Sequence, residues 1–211
     1  MGRTEMVRTA VLVSGGGTNL QAIIDAAGSG RIKNCELAAV ISSNPEAYAL
    51  KRAENAGIPA HVIDRHLFPD RGAFSTAILN RLRELDIELV VLAGFNFILP
   101  DIVSAYENRI INIHPSLIPA FCGDGYYGLH VHEAALRYGV KLSGATAHFA
   151  TEDADAGPII IQKAVEVKTG DTPQTLQKRI MEEAEWKILP EAISLYCEGR
   201  LTVQGRIVEV R

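Results

Sequence analysis

The chain reads as an α/β protein with a mostly parallel central sheet and helices on both faces. Three observations predict this. Short, continuously apolar runs at residues 10–13, 37–42 and 89–93 suit strands covered on both sides. Helical periods at residues 20–27, 47–56 and 73–85 alternate with them. Glycine and proline punctuate the junctions, at Gly28, Gly57 and Pro59.

The first strand, residues 10–13, feeds a glycine turn and then the helix over 20–27. Residues 37–42 form the second strand and 47–56 the second helix. A shorter strand at 61–63 precedes the amphipathic helix over 73–85, and residues 89–93 are the fourth strand. The second half is less regular. A short helix is expected over 100–106, a strand over 110–113 broken at His114-Pro115, and a helix over 133–138 ended by Gly139. Residues 143–149 and 159–167 read as neighbouring strands joined by the 151–158 loop. Thr172 caps a long helix over 174–197, with a kink expected at Pro190. Residues 201–203 and 207–210 form a terminal hairpin around Gln204-Gly205.

With 211 residues, 47% apolar and 22% charged, the chain suits one soluble domain, divided at about 8–100 and 101–200. A net charge of −4 leaves no basic footprint for nucleic acid. Cys35, Cys122 and Cys197 are too few and too scattered for a disulfide framework, which favours a reducing, cytoplasmic setting. No signal-peptide pattern or membrane span is expected. His130, His132 and Cys122 lack further ligands at metal-site spacing, so no metal is expected either.

The turn Ser14-Gly15-Gly16-Gly17-Thr18-Asn19 lies between a strand and a helix. Glycines there let backbone N–H groups approach an anion, and the helix N-terminus adds its dipole. Leu20 occupies the third glycine position of the dinucleotide fingerprint, and no acidic residue ends the second strand. A P-loop lysine is absent as well. The turn therefore points to a mononucleotide-like phosphate rather than NAD or ATP.

Asn112 and His114 stand two apart at a strand end, so their side chains share a face. An amide and an imidazole converging there suit a developing oxyanion, at the strand end where open sheets bind ligands. A second cluster, His148 with Asp155, lies ahead of Gly157-Pro158; its carboxylate can orient an imidazole and handle a proton.

Four segments together resemble the folate-dependent formyltransferases, in the branch acting on glycinamide ribonucleotide. They are Ser14-Gly-Gly-Gly-Thr-Asn-Leu-Gln, Leu92-Ala-Gly-Phe, Asn112-Ile-His-Pro-Ser-Leu-Ile-Pro, and His148-Phe-Ala-Thr-Glu-Asp-Ala-Asp-Ala-Gly-Pro. The similarity spans about residues 10–199, in order. It implies a Rossmann-like formyltransferase fold and transfer of a formyl group from the cosubstrate 10-formyltetrahydrofolate to the substrate amine, in purine synthesis. It implies that Gly16, Gly17, Thr18 and Asn19 hold the 5′-phosphate and that Glu185 binds the ribose hydroxyls. Asn96, Phe97, Ile98, Leu99 and Asn112 would border the pterin slot, with Arg71 at the folate tail. Asn112 and a protonated His114 would stabilise the oxyanion, Asp155 would pair with His114 and move the proton, and His148 would support the carboxylate loop.

The resemblance further implies small-molecule partners and a monomer or homodimer, with no nucleic acid or membrane involved. Family members often carry an arginine where Phe97 stands and a histidine where Trp186 stands, and residues 121–128 are longer than in many. We read that stretch as a mobile loop. The other readings are a different 10-formyltetrahydrofolate-dependent transferase or hydrolase, and a non-catalytic nucleotide-binding module.

Overall fold

The computed structural model describes residues 6–95, 97 and 99–211. The elements run β1 Val7–Val13, α1 Thr18–Gly28, β2 Cys35–Ser42, α2 Tyr48–Asn55, β3 Ala60–Val62, α3 Arg71–Glu84, β4 Leu89–Leu92, α4 Pro100–Ala105 and β5 Ile110–His114. They continue with α5 Leu129–Tyr138, β6 Leu142–Phe149, β7 Ile159–Glu166, α6 Pro173–Ile180, α7 Trp186–Cys197, β8 Leu201–Gln204 and β9 Ile207–Val210.

The nine strands of the described residues join one sheet in the order β3-β2-β1-β4-β5-β6-β7-β9-β8. The β3 to β5 portion is parallel throughout. From β5 onward the chain turns back: β6 runs antiparallel to both β5 and β7. The sheet is thus mostly parallel, as the alternating strand and helix pattern predicts.

The period-2 geometry of strands divides the core into two. Val11, Val13, Val40, Leu89, Val91, Ile111 and Ile113 pack with α1, α5, α6 and α7 on one face. Ala10, Leu12, Ala39, Ile41, Val90 and Ile110 pack with α3 and α4 on the other. Both faces are therefore dry, which is why these strands read as continuous apolar runs.

Two helix starts follow side-chain caps. The Asp70 carboxylate accepts from the Ala73 N–H at 2.8 Å and opens α3. Thr172 and Thr175 form a reciprocal capping box, with Pro173 in the first turn of α6. The long C-terminal helix departs from expectation. Its interruption is a π turn at Met181–Glu185, and Pro190 lies inside α7. Proline removes the N–H that would bond to residue 186, and the irregular turn sits immediately ahead of that missing bond. A π turn inserts one extra residue, and here Glu185, at its end, is buried.

Candidate active site

Register explains how the polar residues meet. In the antiparallel β5–β6 pair Asn112 stands opposite His148 and His114 opposite Thr146. Facing residues project to the same side, so the Asn112 and His148 side chains are neighbours. The amide nitrogen of Asn112 lies 3.1 Å from His148 Nε2. His148 Nδ1 donates to the Phe149 carbonyl at 2.9 Å, and its Nε2 lies between the Asn112 amide and the Asp155 carboxylate.

Asp155 comes from the β6–β7 loop and has a left-handed backbone, φ 54°. Aspartate tolerates that conformation better than most residues, yet it carries strain. One carboxylate oxygen accepts from the Gly123 N–H at 3.0 Å and lies 3.3 Å from His114 Nδ1. The other lies 3.4 Å from the Asn112 amide nitrogen and 3.6 Å from His148 Nε2. The loop is pressed against the sheet at Gly157, where an added Cβ would collide with the Phe149 carbonyl. Asp155 and His114 are thus on the same side of the sheet and in contact.

Electrostatics follow from burial and these partners. Burial pushes the Asp155 carboxyl up, but the His148 and His114 rings and the Gly123 N–H outweigh it and hold the carboxyl below its ordinary value. Burial pushes His114 below its ordinary value, against the raising influence of Asp155 and the Phe121 carbonyl. His114 Nε2 donates to that carbonyl at 2.9 Å. The resting ring therefore favours its neutral form, because desolvation exceeds the pull of one carboxylate. Two acceptors flank it, so the imidazolium, once formed, is held on both sides.

These groups line a cleft of about 560 Å³. The cleft reaches Thr18 and Asn19 at one end and Arg71, Phe95 and Phe97 at the other, with Glu185 in its wall. The Asn19 amide donates to the Glu185 carboxylate at 2.7 Å. Burial raises the Glu185 carboxyl above its usual range, and the Asn19 bond offsets only part of this. Gly16 and Gly17 lie on the adjoining turn, Gly17 with φ 71° at the start of α1. Leu99 is buried at the start of α4, against a small apolar cavity that shares Phe95 and Phe97 with the cleft. Asn96 and Ile98 lie outside the described residues.

Residues 121–128 are tied to the cluster at both the Phe121 carbonyl and the Gly123 N–H. These are backbone groups, invisible to residue-type reasoning. His132, weighed from the sequence only as a metal ligand, belongs to the wall of this cleft. It is fully buried in α5, lines the cleft, and neither ring nitrogen has a partner among the described residues. Burial, then the neighbouring His114, push it down to about 4, so it stays neutral. Its place beside Val131 and Ala135 on the buried face of α5 was the available signal. His130 is exposed and pairs with Glu133 at 3.2 Å instead. No group of three or more metal-ligating side chains is assembled among the described residues.

An open, mostly parallel sheet thus carries an amide, two imidazoles and a carboxylate at a strand end, in the cleft that also reaches Thr18 and Asn19 beside the glycine turn. The chain belongs to the formyl transferase family, which it matches over residues 7–193. It is 41% identical over 192 residues to the phosphoribosylglycinamide formyltransferase of Escherichia coli, covering 90% of this chain and 87% of that protein. It is 44% identical over 207 residues to the human trifunctional purine biosynthetic protein adenosine-3, covering 97% of this chain and 20% of that protein. The chain thus spans about a fifth of the length of the trifunctional relatives it matches. A solved glycinamide ribonucleotide transformylase from Symbiobacterium toebii superposes with a TM-score of 0.92 at 46% identity, covering 99% of this chain and 95% of that one.

Proposed function

We propose that this protein transfers the formyl group of 10-formyltetrahydrofolate to the amine of glycinamide ribonucleotide, a step of purine synthesis. The observation that carries the reading is the contact of Asp155 with both His114 and Asn112 in the cleft that also reaches Asn19 and Glu185. In this assignment the 5′-phosphate sits on the Gly16–Asn19 turn and the ribose hydroxyls face Glu185. The reduced folate lies along Phe95, Phe97 and Arg71. The first half of the chain thereby supplies the phosphate end and the second half the catalytic cluster, within one domain that works on small molecules in the cytoplasm.

The substrate amine attacks the formyl carbon, and the carbonyl oxygen gains charge. The Asn112 N–H held at the long distance of 3.4 Å from Asp155 turns to that oxygen, and His114, its Nε2–H held by the Phe121 carbonyl and its Nδ1 facing Asp155, adds positive charge beside it once the ring takes up a proton. As the amine becomes positive, Asp155 and its neighbouring rings accept a proton and return it to folate N10. The C–N bond to N10 then breaks and the formamide is released. No covalent enzyme intermediate is needed.

The test is to mix the protein with both substrates and follow the deformylated folate. Turnover only when the amine is present supports transfer. Equal turnover without the amine establishes hydrolysis, and no turnover in either case overturns the reading.

A further inference from the structure

The glycine turn does not hold its shape alone; α2 holds it from behind. The Gly15 carbonyl accepts from the Ala49 N–H at 3.1 Å, and the Gly16 carbonyl accepts from Arg52 Nε at 2.8 Å. A second nitrogen of the guanidinium is held as well. Its Nη1 donates to Gln21 Oε1 at 3.0 Å, and its carbon lies 5.1 Å from the centre of the Tyr48 ring. In a trans peptide the C=O and the following N–H point in opposite directions. Drawing the carbonyls of Gly15 and Gly16 towards α2 therefore turns the N–H groups of Gly16 and Gly17 away from it. Neither N–H has an acceptor among the described residues, and both glycines lie at least partly open to solvent. Gly17 could not be anything larger: a Cβ there would come within 2.7 Å of Ala49 Cβ.

We infer that Arg52 is a positioning residue for phosphate binding: its bond to the Gly16 carbonyl aims the Gly17 N–H at the anion. The inference rests on the phosphate site assigned above and adds the residue that shapes it. Nε is taken by the Gly16 carbonyl and Nη1 by Gln21, so in this arrangement Arg52 acts on the anion site through the backbone it holds. A lysine offers a charge at the same place but not two donors in a fixed plane.

The experiment titrates the wild type, Arg52→Gln and Arg52→Lys with inorganic phosphate and ribose 5-phosphate. The readouts are calorimetry and the amide resonances of Gly16 and Gly17; ribose is the uncharged control, and thermal unfolding reports the fold. The wild type binds both phosphates and shifts both amides. Arg52→Gln and Arg52→Lys each weaken the phosphates roughly tenfold, the scale of one charge-assisted hydrogen bond. In turnover, KM for the phosphorylated substrate rises with kcat nearly unchanged.

Wild-type affinity in Arg52→Lys shows that charge alone suffices and overturns the positioning role. Wild-type affinity in Arg52→Gln overturns any role. An equal loss for ribose, or a lowered unfolding midpoint that accounts for the loss, makes Arg52 a scaffold residue only and overturns the inference. A wild type that binds neither phosphate overturns the phosphate site itself, and the inference falls with it.

Discussion

Replacing Asp155 by asparagine keeps the shape of the side chain and removes its charge, so the variant isolates what the charge does. His114 Nδ1 lies 3.3 Å away, and the two side chains are only 6% and 12% exposed. At that distance and an effective dielectric constant of about 20, a carboxylate and an imidazolium attract by about 5 kcal/mol. The amide dipole recovers a part of this, and each 1.4 kcal/mol changes the rate about tenfold. The expected fall in kcat is therefore about 10³-fold, with affinity for ribose 5-phosphate changed less than about twofold because Asn19 and the glycine turn are untouched. The amide nitrogen must also face the N–H of Gly123 or of Asn112, both donors, so one hydrogen bond is lost at a cost of about 1–3 kcal/mol. The assay is steady-state release of deformylated folate across the pH range, with the fold checked by near-ultraviolet circular dichroism. A kcat within about tenfold of wild type at neutral pH refutes the electrostatic reasoning. The stability profile supplies a second check. Because the folded carboxyl is depressed, its stabilisation is present above the unfolded carboxyl value and disappears as pH falls through the folded one. Asp155→Asn lacks that acid limb.

Other perturbations probe the surroundings. His132 is pushed from 6.5 down to about 4, so the unfolded chain binds its proton more tightly. Acidifying from about pH 7.5 to about pH 5 removes about 2 kcal/mol of stability through this group. His132→Leu flattens that slope in urea titrations at the two pH values, and an unchanged slope rejects the assignment. Gly157→Ala forces a Cβ into the Phe149 carbonyl, separates β6 from the loop that carries Asp155, and costs about 3 kcal/mol. Calorimetry should record a melting midpoint lower by about 6–12 °C; an unshifted midpoint contradicts the close approach. Glu185 has a raised folded value, so its burial costs stability as pH rises through that value, and the neutral Glu185→Gln escapes the cost. It keeps an acceptor for Asn19 and gains about 1 kcal/mol at neutral pH, while KM for the ribonucleotide rises. Loss of stability in this variant, measured by denaturant unfolding, opposes the desolvation argument.

Much of the architecture is legible before any coordinates. A strand covered on both faces must be apolar at every position, and a helix between two such strands must show a 3.6-residue period. Residues 89–93 and 73–85 carry those signatures openly, and the structure returns β4 and α3 within a residue or two. The Thr172 cap and the terminal hairpin are legible for the same reason: the chemistry that makes them is local. The C-terminal helix is less so. Proline announces a weakness, but whether the helix bends there or one turn earlier depends on what packs against it, and the π turn falls at Met181–Glu185.

The candidate site divides along the same line. The amino-acid sequence by itself determined which side chains share a strand face, as with Asn112 and His114, and where consecutive glycines open a turn between strand and helix. Both follow from spacing of a few residues. Only the tertiary structure decided the pairing of β5 with β6, which sets Asn112 against His148. It also decided the left-handed turn that delivers Asp155 and the backbone groups of Phe121 and Gly123 that bracket His114 and its carboxylate. Burial likewise belongs to the fold: it depresses His114 and His132 and raises Glu185. Residue type states what a group can do in water; register, desolvation and the neighbours brought from distant parts of the chain determine which of its forms the protein uses.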